Sequence, residues 1–125
     1  MKKIISTNDA PAAIGPYSQG VLAGGFLYVS GQLPLNPATG AFAGDDITSQ
    51  ARQSLENVKA VVCAAGMTLE NVVKVNVYMK DMADFADLNA VYAEYFSSDC
   101  PARAAVEVAR LPKDALVEIE AVACL

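Results

Sequence analysis

Two short stretches near the end of the chain carry the residue types that do chemistry. Arg103 opens an apolar run, Ala104-Ala105-Val106-Glu107-Val108, and Glu118 and Glu120 lie inside a second, Leu116 to Ala123. An arginine presents a planar fork that grips a carboxylate through two parallel, charge-assisted hydrogen bonds. A glutamate on a neighbouring strand carries protons if burial raises its proton affinity. Together they outline chemistry on a small molecule that bears a carboxylate. The same residues also describe a surface ion pair across adjacent strands, and spacing alone favours that plainer alternative, because charged side chains are normally exposed.

The elements that would position these groups follow from periodicity. Gly24-Gly25 joins Val21-Leu22-Ala23 to Phe26-Leu27-Tyr28-Val29-Ser30, and paired glycines suit a tight hairpin. Leu33 to Gly40 is rich in turn residues and reads as a loop. Between Asp46 and Ala65 the apolar residues Ile47, Ala51, Leu55, Val58, Val62 and Ala65 recur at steps of three and four, which predicts an amphipathic helix. Asp45 or Asp46 would cap its start and Gly66 its end. From Val72 to Lys80 the period falls to two, with Val73, Val75, Val77 and Met79 on one face. A second helix begins near Asp84, with Phe85, Leu88, Val91, Tyr92 and Tyr95 on its apolar side and Asn89 among them.

The two terminal strands are separated by Leu111-Pro112-Lys113-Asp114-Ala115. Arg103, Ala105, Glu107 and Ala109 share a face of the first; Glu118 and Glu120 share a face of the second. Which carboxylate lies near Arg103 is left open by the spacing. The order of strands, helix, strand, helix, strands predicts an α+β layer with two helices on one face of a sheet. The other face then needs a cover, and sister subunits would supply it.

Composition narrows the classes of function. The 125 residues suit one domain, 54% are hydrophobic and 18% charged, which excludes a disordered chain and favours self-association. No apolar run approaches the roughly eighteen residues of a membrane span, and no signal-peptide core opens the chain; a soluble, cytoplasmic protein is expected. Nine basic residues against fourteen acidic leave a net charge of −5. The basic residues are scattered, so nucleic-acid binding is not expected. Cys63, Cys100 and Cys124 are far apart and suit a reducing compartment. Histidine is absent, which removes the Ser-His-Asp triad, the Cys-His pair and most catalytic zinc sites. No glycine-rich dinucleotide or phosphate-binding motif occurs.

Over nearly its whole length the chain resembles the Rid (YjgF) family of reactive-intermediate deaminases, especially the RidA branch. The resemblance is carried by Ala13-Ile14-Gly15-Pro16-Tyr17-Ser18-Gln19-Gly20, by Ser30-Gly31-Gln32, and by Gln50 to Val58. Its most specific part is Pro101-Ala102-Arg103 through Leu111-Pro112, then Glu118-Ile119-Glu120-Ala121. It implies a chorismate-mutase-like fold in a homotrimer with clefts between subunits. It also implies hydrolysis of 2-imino acids such as 2-iminobutanoate and 2-iminopropanoate to 2-oxo acids and ammonia, without metal or cofactor. Arg103 matches the family's carboxylate-binding arginine and Glu118 its water-handling glutamate; Tyr17, Ser30, Gly31 and Asn89 match cleft positions. Ala105 stands where many members carry a cysteine. The rivals are a ribonuclease or translation inhibitor, and a ligand-binding trimer without catalysis.

Overall fold

Two β-α-β crossovers organise the chain. In the computed structural model, which describes residues 1–125, the strands are β1 (Lys3–Ile5), β2 (Gly20–Ala23), β3 (Phe26–Gln32), β4 (Val72–Met79), β5 (Ala102–Glu107) and β6 (Val117–Cys124). Helix α1 (Ile47–Ala64) links β3 to β4, and α2 (Phe85–Tyr95) links β4 to β5. The six strands form one mixed sheet in the order β1-β2-β3-β6-β4-β5. Only the β4–β5 pair is parallel; a parallel neighbour requires a crossover, which α2 supplies.

Both helices pack on one face and against each other. The inward residues alternate as a half-buried sheet demands: Leu27 and Val29 from β3, Val75, Val77 and Met79 from β4, and Val117, Ile119, Ala121 and Ala123 from β6. Ala51, Leu55, Val58 and Val62 of α1 and Leu88 and Val91 of α2 close over them. Fully burying each larger aliphatic side chain stabilises the fold by about 1.5–3 kcal/mol. Helix α1 has Asp46 at its N-cap, without a side-chain hydrogen bond to the helix, and runs out just before Gly66, whose φ is +80°. A positive φ there favours glycine.

Val73 departs from the expected alternation. The register between β4 and β6 shifts between Val72 and Lys74, so Val72 turns inward and Val73 is exposed. A bulge of this kind rotates one residue out of phase. The strand after Arg103 is also shorter than expected. It ends at Glu107; Val108 N–H still donates to Met79 O at 2.9 Å, and Ala109 lies beyond the strand.

Buried amides on α1 hold the loops that lead into the sheet. Asn57 Nδ2 donates to Leu33 O at 3.1 Å and to Leu35 O at 2.9 Å. Gln50 Nε2 donates to Gly44 O at 2.9 Å, while its Oε1 accepts from Leu116 N–H at 2.8 Å. That second bond fixes the chain at the entry to β6, two residues before Glu118. Satisfied buried amides of this kind specify loop geometry, because leaving such a group unpaired costs about 1–3 kcal/mol.

The face of the sheet away from the helices is uncovered by the rest of the chain. It presents Phe26 (41% exposed), Tyr28 (52%) and Val106 (47%) beside Glu118, Glu120 and Val122. Phe26 and Tyr28 lie together on β3, and Val106 lies on edge strand β5 with β6 and β4 between them; exposed aromatic groups on an uncovered sheet face favour an interaction there.

Candidate functional site

Arg103 and Glu118 do not meet within the chain. Strand β4 lies between β5 and β6, so the expected adjacency of their strands does not hold. Arg103 pairs with Val75, whose side chain is buried under the helices. Glu118 pairs with Tyr78, which faces the open side. Residues three apart on a strand point to opposite faces, and the sheet itself separates the two groups. The surface ion pair that spacing favoured is absent as well. The chain's ion pairs are Arg52–Glu94 and Lys80–Asp114, and Glu120, opposite Asn76 on the open face, is no nearer to Arg103.

Arg103 is nonetheless held in one orientation. Its Nη1 donates to Asn89 Oδ1 at 2.7 Å. Its guanidinium carbon lies 4.7 Å from the centroid of the Tyr92 ring and 5.4 Å from that of Phe85, within the range of cation–π attraction. Asn89, Phe85 and Tyr92 all lie on α2, where the helical repeat of three and four brings them to one side. Burial pushes the Tyr92 phenol up to about 12, with Arg103 opposing the rise. The guanidinium has an amide and two ring faces around it and no protein carboxylate, so its remaining donors are free to receive an anion.

Glu118 belongs to a second cluster on the open face. It lies directly over Gly31 of β3: a Cβ built on Gly31 would come within 2.9 Å of Glu118 Cδ and collide with Oε2. The register of β3 against β6 shifts between Val29 and Gln32, at Ser30-Gly31, and this local distortion brings the glycine backbone under the carboxylate. Ser30 Oγ donates to Ser18 O at 2.6 Å, and Ser30 N–H donates to Gln19 O at 3.0 Å. These bonds tie β3 to the loop that carries Tyr17, whose side chain is 51% exposed and whose hydroxyl accepts from Ile14 N–H at 3.4 Å. Burial, and then the nearby charge of Glu120, raises the proton affinity of the Glu118 carboxyl above that of an ordinary glutamate.

The six residues singled out in the sequence therefore fall into two groups. Arg103 and Asn89 sit together at the β5 edge under α2. Ser30, Gly31 and Glu118 sit together on the open face, with Tyr17 on the adjoining loop. Sequence reasoning missed the rings of Phe85 and Tyr92 as a shelf for Arg103, since their helical spacing reads as core. It also missed Asn76 and Tyr78, which donate to Glu120 Oε1 at 3.0 Å and 2.5 Å from the polar side of a strand that reads as solvent-facing. Ala105 is half-buried and packs against the core; it brings no thiol to Arg103.

The family model for endoribonuclease L-PSP matches residues 7–125. The crystal structure of the YjgF gene product from Escherichia coli superposes with a TM-score of 0.94 at 54% identity, covering 98% of each chain. The chain belongs to the Rid (YjgF) family. Among Rid relatives, a protein of Salmonella typhimurium named 2-iminobutanoate/2-iminopropanoate deaminase is 56% identical over 126 residues, covering 98% of each chain. A RutC family protein of Pyrococcus horikoshii is 58% identical over 123 residues, again with 98% of each covered. The mixed six-stranded sheet with two helices on one face is the Rid fold. No helix is long and apolar enough to cross a membrane.

Proposed function

We propose that this protein is an imine deaminase that hydrolyses short 2-imino acids, or their enamine tautomers, to 2-oxo acids and ammonia. The observation that carries the reading is Arg103, a guanidinium oriented by Asn89 and two rings with no protein carboxylate to neutralise it. The name borne by the Salmonella relative supports the substrate class, 2-iminobutanoate and 2-iminopropanoate. A homotrimer with clefts between subunits reconciles the two clusters. The β5 edge of one protomer, with Arg103 and Asn89, meets the open face of the next, with Tyr17, Ser30, Gly31 and Glu118. The exposed Phe26, Tyr28 and Val106 supply an apolar surface for that contact.

An imine carbon is already electrophilic, so positioning and proton transfer suffice. Arg103 holds the substrate carboxylate. The Gly31 backbone, free of a side chain, permits close approach. Glu118, as the carboxylate, accepts a proton from water as the oxygen bonds to the carbon of the protonated imine. The C=N electron pair moves to the nitrogen, leaving a hydroxyl and a neutral amine on one carbon. Glu118 then gives that proton to the amine nitrogen and takes the hydroxyl proton as the C=O bond forms and the C–N bond breaks, releasing ammonia and the 2-oxo acid. Loss of the proton to solvent resets the carboxylate. Its raised proton affinity, caused by burial and then by Glu120, helps it hold a proton between the two halves of that cycle. Tyr17 and Ser30 border the water. In the cytoplasm such an activity removes imines released by pyridoxal-phosphate enzymes before they damage others.

Coupled turnover tests the reading. A dehydratase generating 2-iminobutanoate in place should release 2-oxobutanoate and ammonia faster with this protein than without it; no acceleration overturns the proposal. Light scattering should return three times the protomer mass. The family model's description favours a ribonuclease as the second reading. Scattered basic residues and a net charge of −5 weigh against it.

A further inference from the structure

Glu120 has two donors converging on one of its oxygens, and Glu118, two residues away on the same face of β6, has none. Asn76 Nδ2 and Tyr78 Oη, both from β4, reach Glu120 Oε1 at 3.0 Å and 2.5 Å. Glu118 lies instead against the bare backbone of Gly31. We propose that Asn76 and Tyr78 anchor Glu120 as a fixed negative charge, and that Glu120 is a positioning residue which strengthens the hold of Glu118 on the proton it takes from water. The inference rests on the proton-carrier role proposed above for Glu118.

Two carboxylates close together cannot ionise independently, and differing environments decide which keeps the proton. Hydrogen bonds donated to a carboxylate favour its charged form. Here the donors are on Glu120 and the burial is on Glu118. The charge of Glu120 follows burial as a cause of the raised proton affinity of Glu118. The same hydrogen bond raises the Tyr78 phenol, so Tyr78 stays a donor across the working pH range. The other groups facing the pair are Tyr28 and Ser30 from β3 and Lys74 from β4, with the apolar Val106 beyond on β5. Lys74 and Tyr28 line one cavity with Glu120 and Val122. Lys74 makes no ion pair with either carboxylate, so the cluster lacks a close cation that would cancel the charge of Glu120.

The test is Glu120→Gln, which keeps shape and acceptor but removes the charge. In the folded variant, the side-chain carboxyl ¹³C resonance of Glu118, identified by its loss in Glu118→Gln, should titrate with a midpoint at lower pH than in the wild type. The pH–rate profile of imine hydrolysis should move its Glu118 limb in the same direction, whereas a merely structural role would lower the rate evenly at every pH. Glu120→Asp retains the charge and should restore a midpoint near that of the wild type. An unchanged midpoint in folded Glu120→Gln overturns the inference. A lowered midpoint together with wild-type turnover by Glu118→Gln upholds the coupling and overturns instead the proton-carrier role.

Discussion

Replacing Gly31 by Ala adds one methyl group where the backbone of β3 lies directly under the Glu118 carboxylate. The new Cβ would stand 2.9 Å from Glu118 Cδ and 3.3 Å from Cγ, with Oε2 closer still. Real Cβ contacts under 3.0 Å are essentially absent, so something must move. The obstacle is the end of a flexible side chain, and Gly31 is not among the glycines with positive φ. The backbone therefore accepts alanine while the Glu118 carboxylate swings away. Stability should change little, since a compatible Gly-to-Ala change contributes about 0.4–1 kcal/mol through the unfolded chain and the displaced carboxylate offsets part of it. Catalysis should suffer far more. A positioned general acid–base contributes on the order of 10²–10⁴-fold, so misplacing it should lower kcat by about 10²-fold, equivalent to about 2.7 kcal/mol of barrier. The assay is turnover of dehydratase-generated 2-iminobutanoate, with thermal melting as the control for folding. Combining Gly31→Ala with Glu118→Gln should add little further loss, because both act through one carboxylate. Folded Gly31→Ala protein with the wild-type rate would refute the claim that Glu118 works from its seat on Gly31.

Three further outcomes are expected. Arg103→Ala removes charge-assisted bonds to the substrate carboxylate and should lower kcat/KM about 10²-fold, or about 3 kcal/mol, with a parallel loss of affinity for 2-oxobutanoate in calorimetry; retained affinity would exclude the clamp. Glu118→Gln should gain stability relative to the wild type as pH rises: a carboxyl with raised folded-state proton affinity loses stability once pH passes its unfolded value, and glutamine has no such loss. Paired melting curves at acid and neutral pH measure this, and a gain at acid pH alone would contradict the sign. RNA should not bind tightly at physiological salt, since no basic stripe tracks a phosphate backbone; submicromolar affinity accompanied by cleavage would favour the ribonuclease.

Much of the fold is legible in local pattern. The step of three and four from Ile47 to Ala65 marks α1, Gly24-Gly25 marks the β2–β3 turn, and the alternation from Val117 to Ala123 marks β6 with its carboxylates outward. What local pattern does not carry is which strands become neighbours. The two terminal runs are consecutive among the strands, yet β4 inserts between them, because the crossover through α2 makes β5 a parallel edge strand. Register is likewise invisible: the shift at Val72 that exposes Val73, and the shift at Ser30-Gly31 that seats Glu118, are long-range consequences of how β6 fits its neighbours. Asn76 and Tyr78 fall on the polar side of an alternating strand, where side chains that fix a carboxylate look the same as those that face water.

The central claim is that Arg103 and Glu118 serve one site from two different protomers. Arg103→Ala and Glu118→Gln proteins, each strongly impaired alone, can be unfolded together in equal amounts and refolded into mixed trimers. In such a mixture about a quarter of the clefts between subunits should join an intact Arg103 to an intact Glu118, and turnover of 2-iminobutanoate should return to about that fraction of the wild-type rate. Mixed trimers no more active than either variant alone would contradict the account, because a site contained within one protomer could never be restored by mixing.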